Sequence, residues 1–193
     1  MDPSLITPFI ASIQNVFSTM LQLPVTIKEP HLKRESGTTF DVSGIIGMSG
    51  DVVGSVVLSF PKQTAVRLVA LFTGTDMTAD SPDFPDAIGE LSNMVSGNAK
   101  GMFSGKRKVQ ISCPSVVIGS GHTVTRPRDI PCVAIPCSCD CGDFTVEICV
   151  QDRSAAPTAA AATLAAKAQG VPGGNGASAA APVKPATPVA MTL

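Results

Sequence analysis

Between Ser81 and Gly105 the chain reads SPDFPDAIGELSNMVSGNAKGMFSG, and this stretch constrains the fold more than any other. A residue in an α-helix advances by about 100°. On that wheel Phe84, Ile88, Leu91, Val95, Ala99 and Met102 fall within roughly 80° of one another, an apolar stripe that needs a core. Asp86, Glu90, Asn93, Gly97 and Lys100 occupy a similar arc on the opposite side. That side presents a carboxylate and a carboxamide three residues apart, with a glycine one turn on that clears space. Asp83 is placed to cap the helix, with Asp86 three residues on in a capping-box position. Pro85 sits in the first turn, where no intrahelical N–H bond is lost. First-turn placement therefore explains Asp86 as a dipole or capping residue, with a direct partner contact as the second reading.

The rest of the chain supplies elements for this helix to pack on. Leu5, Phe9, Ile13, Val16, Phe17, Met20 and Leu21 recur at helical spacing within Asp2 to Leu23. Asp2 or Ser4 can cap the start of that first helix, and Pro8 either kinks it or delays its true start. Val25 to Lys33 is extended. Thr38 to Met48 and Val52 to Phe60 read as a hairpin joined around Ser49-Gly50-Asp51, with Gly44, Gly47 and Gly54 marking bulges or close backbone approach. Pro61 to Phe72 reads as a helix that ends at Gly74. Val109 to Ser112, Ser115 to Gly119 with an extension toward Thr125, Cys132 to Cys139, and Phe144 to Gln151 read as strands, the last two joined by a turn over residues 140–143. The order α-βββ-αα-βββ(β) predicts an α/β (α+β) layered domain, with helices packed on a mostly antiparallel sheet.

This domain is expected to span residues 1–153. Residues 154–193 are almost wholly Ala, Pro, Gly, Ser and Thr with no periodic apolar face, the composition of a disordered tail. Before residue 154 there are 12 basic and 15 acidic residues, so no strong positive field invites nucleic acid. Trp and Tyr are absent, which leaves little for base stacking. No apolar run approaches the ~18 residues of a membrane span. No secretory signal is recognisable either, and the expectation is a cytoplasmic protein without membrane association.

Competing chemistry is thinly supported. Cys137, Cys139 and Cys141 have C-x-C-x-C spacing, with Cys132 and Cys149 nearby. Zinc sites favour C-x₂₋₄-C pairs on turns. Alternating strand cysteines read instead as small buried hydrophobes, with a metal site or a disulfide or redox role as lesser readings, and no metal site is expected. A cytoplasmic setting argues against stable disulfides. His31 and His122 stand among strand residues without a motif, as surface or structural residues. Ser92 has no recognisable His or Asp partner. No phosphate-binding G-x-x-x-x-G-K-[ST] loop occurs.

The segment Asp86-Ala-Ile-Gly-Glu90-Leu-Ser-Asn93 resembles the signature helix of the CheX/CheC/FliY chemotaxis phosphatase family: an acidic residue or Ser, three residues, Glu, two residues, Asn. Pro8-Phe9-Ile10…Val16-Phe17…Met20-Leu21 is similar to the family's first helix, and Pro114 to Gly119 to the strand after the signature helix. No second Glu-x-x-Asn occurs, so the resemblance is to the single-motif CheX branch, whose members are homodimers. The tail and the cysteine-rich hairpin depart from the family pattern. The resemblance implies a phosphatase for the phospho-aspartate of a CheY-like response-regulator receiver. It implies that Asn93 orients the attacking water and Glu90 anchors the receiver's lysine. Asp86, Gly97 and Lys100 are the candidates for the partner interface, beside the simpler readings of a capping residue, a packing glycine and a solvated lysine. It further implies no cofactor of the chain's own, since Mg²⁺ travels with the receiver. The rival reading is a non-catalytic receiver-binding or flagellar-motor adaptor that uses the same helix. A third is a cysteine-metal regulatory protein.

Overall fold

The computed structural model describes residues 2–33, 40–103, 107–126 and 129–154. The expected tail lies outside them apart from Ser154, as do Thr38, Thr39, Gly105 and Lys106.

The first expected helix divides in two. A 3₁₀ turn at Pro3–Leu5 is capped by Asp2, whose Oδ1 accepts from the Ser4 N–H at 2.8 Å. Helix α1 then runs Thr7–Met20 with Pro8 in its first turn, so the proline delays the helix rather than kinking it. Two short strands follow, β1 (Thr26–Ile27) and β2 (His31–Leu32), interrupted by a segment containing Pro30. The hairpin β3 (Val42–Gly50) and β4 (Val52–Phe60) leads to α2 (Lys62–Thr73) and α3 (Phe84–Met102). Strands β5 (Val109–Ile111), β6 (Ser115–Ile118), β7 (Val133–Cys139) and β8 (Gly142–Asp152) complete the fold. The β7–β8 turn is tighter than expected, because Cys139 already pairs with Gly142.

The eight strands form one sheet in the order β1-β7-β8-β4-β3-β5, with β2 also on β7 and β6 also on β3. Every pairing among the described residues is antiparallel. Side chains alternate across a strand. Val52, Val56, Leu58 and Phe60 of β4 and Phe144, Val146, Ile148 and Val150 of β8 therefore share one face, where they are buried with residues of all three helices. Phe17 of α1 stacks on Phe144 at 5.0 Å, and Phe144 lies 5.4 Å from Phe60. Each such fully buried side chain contributes about 1.5–3 kcal/mol.

Helix α3 lies close to the sheet for a specific reason. A Cβ on Gly44 of β3 would stand 2.0 Å from Ser92 Oγ, so glycine there sets the approach. On the helix's other flank the Ser12 hydroxyl of α1 donates to the Val95 carbonyl at 2.6 Å. Gly54 has a different duty. Its φ is +143°, and a Cβ would lie 1.9 Å from the Cys149 carbonyl oxygen. Gly47 has room by comparison, the nearest atom being Ser112 Oγ at 3.4 Å.

On the opposite face of the sheet, side chains from irregular segments pack over part of the strands. There Glu147 is held between Lys33 and Arg126, the latter at 3.7 Å. His122 Nε2 lies 2.9 Å from Ser43 Oγ, and Ser43 lies 3.0 Å from Ser59 Oγ. His122 thus braces a loop, whereas His31 is exposed on β2.

Candidate active site

Burial along α3 follows the wheel closely. Phe84, Ile88, Leu91, Val95 and Ala99 are buried, while Asp86, Glu90 and Lys100 are exposed and Asn93 and Gly97 half-buried. Two local expectations need correction. Met102 closes the apolar stripe in sequence but is 44% exposed, because periodicity gives a direction and not the length of the surface it meets. Asp83 does precede the helix, yet its backbone is αR and its side chain makes no capping bond, so the capping box does not form.

Glu90 and Asn93 meet on the exposed side. Asn93 Nδ2 donates to Glu90 Oε2 at 3.4 Å, a long bond that orients the amide without exhausting it. Its carbonyl oxygen and second N–H remain for other partners. Beside them opens a groove of about 1040 Å³, lined by Asn93, Gly97 and Lys100 of α3, by the last turns of α1, and by residues 107–111. Glu90 and Asp86 lie outside this lining. At Gly97 an added Cβ would meet only Ile111 Cδ1 at 3.9 Å, so packing does not require glycine there. The space over Gly97 is open to a partner.

The groove also contains residues that sequence reading missed. Asn15 and Thr19 come from α1, Asn98 from α3, and Lys108 from the approach to β5. No local pattern marks the two α1 residues. The basic run at 106–108 is visible in sequence, but as a complement to a helix C-terminus. Arg107 is engaged with Asp152 at 2.6 Å.

Other nucleophiles are disposed of by geometry. Ser92 is buried and its hydroxyl donates back to the Ile88 carbonyl at 2.8 Å. Cys137 is fully buried, and burial followed by the neighbouring Cys139 pushes its thiol up to about 12. Burial likewise raises Cys139 and Cys141. Among the described residues no three His, Cys, Asp or Glu side chains are grouped to hold a metal ion. No helix among them is long and apolar enough to cross a membrane.

Residues 42–138, half of the chain, match the family described as chemotaxis phosphatase CheX. The chain belongs to the CheX family. Asp86, Glu90 and Asn93 all lie within the matched residues. The chain is 27% identical over 121 residues to the CheY-P phosphatase CheX of Thermotoga maritima, covering 62% of this chain and 78% of that protein. Its structure is similar to a CheX chemotaxis protein of Desulfovibrio desulfuricans (35% identity, TM-score 0.71), over 76% of this chain and 99% of the other. The same CheX architecture recurs in a CheX–CheY–BeF₃–Mg²⁺ complex from Borrelia burgdorferi. There the TM-score is 0.64 over 76% of this chain and 97% of the other, and 21% identity makes it a likeness of fold.

Proposed function

We propose that this chain hydrolyses the phospho-aspartate of a CheY-like receiver domain, with Glu90 and Asn93 as the active pair. The observation that carries the proposal is their juxtaposition on the exposed stripe of a helix whose other side is buried in the core. The CheY-P phosphatase of Thermotoga and the Borrelia complex with CheY support the choice of partner.

Phosphoryl transfer needs positioning and charge stabilisation more than a new nucleophile. In this reading α3 docks on the receiver's phosphorylated site, and the receiver's own Mg²⁺ offsets phosphoryl charge. Asn93, with one amide N–H turned to Glu90, holds a water through its remaining donor and acceptor. The water oxygen attacks phosphorus in line. The bond to the aspartyl oxygen breaks, the receiver carboxylate is released, and the water's protons pass to phosphate and solvent. Glu90 pairs with the receiver's lysine and anchors the helix. Gly97 admits the partner's surface, and Lys100 meets acidic groups at its margin. Asp86, a turn before Glu90, adds a negative charge near the helix N-terminus and an outer contact. The chain supplies no cofactor of its own and works in the cytoplasm.

Pairing of two copies belongs to the same proposal. The sheet ends in short strands on both sides, and β6 exposes Val117 and Ile118. A homodimer gives a molar mass by light scattering of about twice 19.7 kDa, and a single-chain mass at working concentration removes this part.

The enzymatic part is tested by following phosphate on labelled receivers. Wild-type protein is expected to accelerate its loss, and Glu90→Ala to weaken both binding and rate. A receiver that binds tightly yet keeps its phosphate would favour the adaptor reading instead.

A further inference from the structure

On the sheet face turned away from α3, Cys132 and Cys149 are both buried and form a small apolar cluster with Ile130. All six cysteines are free thiols. The β7–β8 register pairs Val133 with Ile148, so Cys132, the residue just before β7, stands opposite Cys149 when that register is carried one residue on. The type of pair follows from the hydrogen bonds. The Cys132 carbonyl accepts from the Lys33 N–H at 2.9 Å, on the β2 side of the strand. Pro136, four residues on, likewise accepts from Lys28 on that side and has no N–H to offer β8. Cys132 and Cys149 are therefore a non-hydrogen-bonded pair, whose Cα atoms stand about 4.5 Å apart. That separation falls within the range a disulfide spans.

Neither cysteine within β7 faces a cysteine across the ladder, although Cys139 has the turn residue Cys141 beside it. Cys137 faces Phe144 and Cys139 faces Gly142. We infer that Cys132 and Cys149 form a redox modification site, a cross-strand dithiol that hydroperoxides convert reversibly to a disulfide.

The surroundings favour this direction of reaction. The Cys149 thiol donates to the Cys132 sulfur, and this holds Cys132 below the ordinary thiol range. Arg126 and Lys33 act in the same sense, while burial and Glu147 oppose them. The same pairing raises Cys149. Cys132 is the attacking group and reacts as its thiolate, and Cys149 resolves the product. The Cys132 sulfur takes one oxygen of hydrogen peroxide, and the O–O bond breaks to give a sulfenic acid and hydroxide. Cys149 loses its proton to that hydroxide, and its sulfur attacks the sulfenic sulfur and expels a second hydroxide, which takes a proton from solvent. Both thiol hydrogens and the two electrons drawn from the sulfurs end in two waters. Both residues are buried, and peroxide, close to water in size, is excluded less than bulkier reagents are.

The test uses the full-length reduced protein, treated with hydrogen peroxide while folded, then denatured and alkylated. Digestion after acidic residues separates Cys149 from Cys132, because Asp140, Asp143 and Glu147 lie between them. The expected product is a cross-linked fragment pair two hydrogens lighter than its parts, with the bond at Cys132 and Cys149. Cys137, Cys139 and Cys141 are recovered alkylated, and dithiothreitol reverses the link. In Cys149→Ser, Cys132 is expected to accumulate as a sulfenic acid trapped by dimedone. If that variant does not fold, the wild-type map decides alone. Recovery of Cys132 and Cys149 as alkylated thiols, or their linkage only in unfolded protein, overturns the inference.

Discussion

Asn93→Ala is expected to lower the receiver-dephosphorylation rate by about 10²-fold, the usual cost of removing one positioned transition-state group. Receiver affinity is expected to change little, because the loss falls on the step and not on the docking. In the proposed mechanism the amide has two tasks that alanine cannot perform: it accepts a hydrogen bond from the water and donates one to it. Glu90 stays exposed one turn away in the variant, so the charge proposed to anchor the receiver persists. Asn93→Asp separates the tasks further. It keeps an acceptor but loses the donor, and it sets a second negative charge near Glu90 and the phosphoryl group. Its rate is expected at or below that of Asn93→Ala. Single-turnover decay of phosphorylated receiver at saturating enzyme measures the step directly. A wild-type rate in Asn93→Ala would remove Asn93 from the mechanism and leave the groove as a binding surface.

Gly44→Ala carries the second large effect, and it acts from beneath the site. The new methyl would stand 2.0 Å from Ser92 Oγ and 3.0 Å from Ser92 Cβ. Neither atom can swing clear: Ser92 is fully buried and its hydroxyl is bonded to the Ile88 carbonyl. The strand is pinned by β4 on one side and β6 on the other, so α3 must lift from the sheet. Overpacking of this kind costs about 1–3 kcal/mol, which lowers the melting temperature of a domain this size by roughly 3–10 °C. Since the same helix carries Glu90 and Asn93, activity is expected to fall with stability. Adding Ser92→Gly removes both clashing atoms and is expected to restore part of the loss, less about 1 kcal/mol for a glycine inside a helix. A melting temperature unchanged in Gly44→Ala would show that the helix does not depend on this contact.

The helix that carries the candidate site was legible because its information is local. Apolar residues every three or four positions specify a buried side, and with it the opposite side that must face outward. The strands were legible from β-branched runs and turn residues, and the hairpin at 139–142 was misjudged only in tightness. Met102 and Asp83 were misread because each depends on something beyond its own helix or turn. An apolar residue is buried only where another element reaches it. A carboxylate caps only where the backbone places it over the free N–H groups.

The sequence by itself determined the order of elements, the direction of each face of α3 and the resemblance carried by Asp86, Glu90 and Asn93. These follow from periodicity and from residue types a few positions apart. Tertiary structure alone decided the groove, since Asn15, Asn93 and Lys108 come from three separate elements. It alone decided that Gly44 is required under Ser92 while Gly97 is left open. It alone brought Cys132 opposite Cys149, because strand register depends on the whole sheet and a slip of one residue reverses every side chain in a strand.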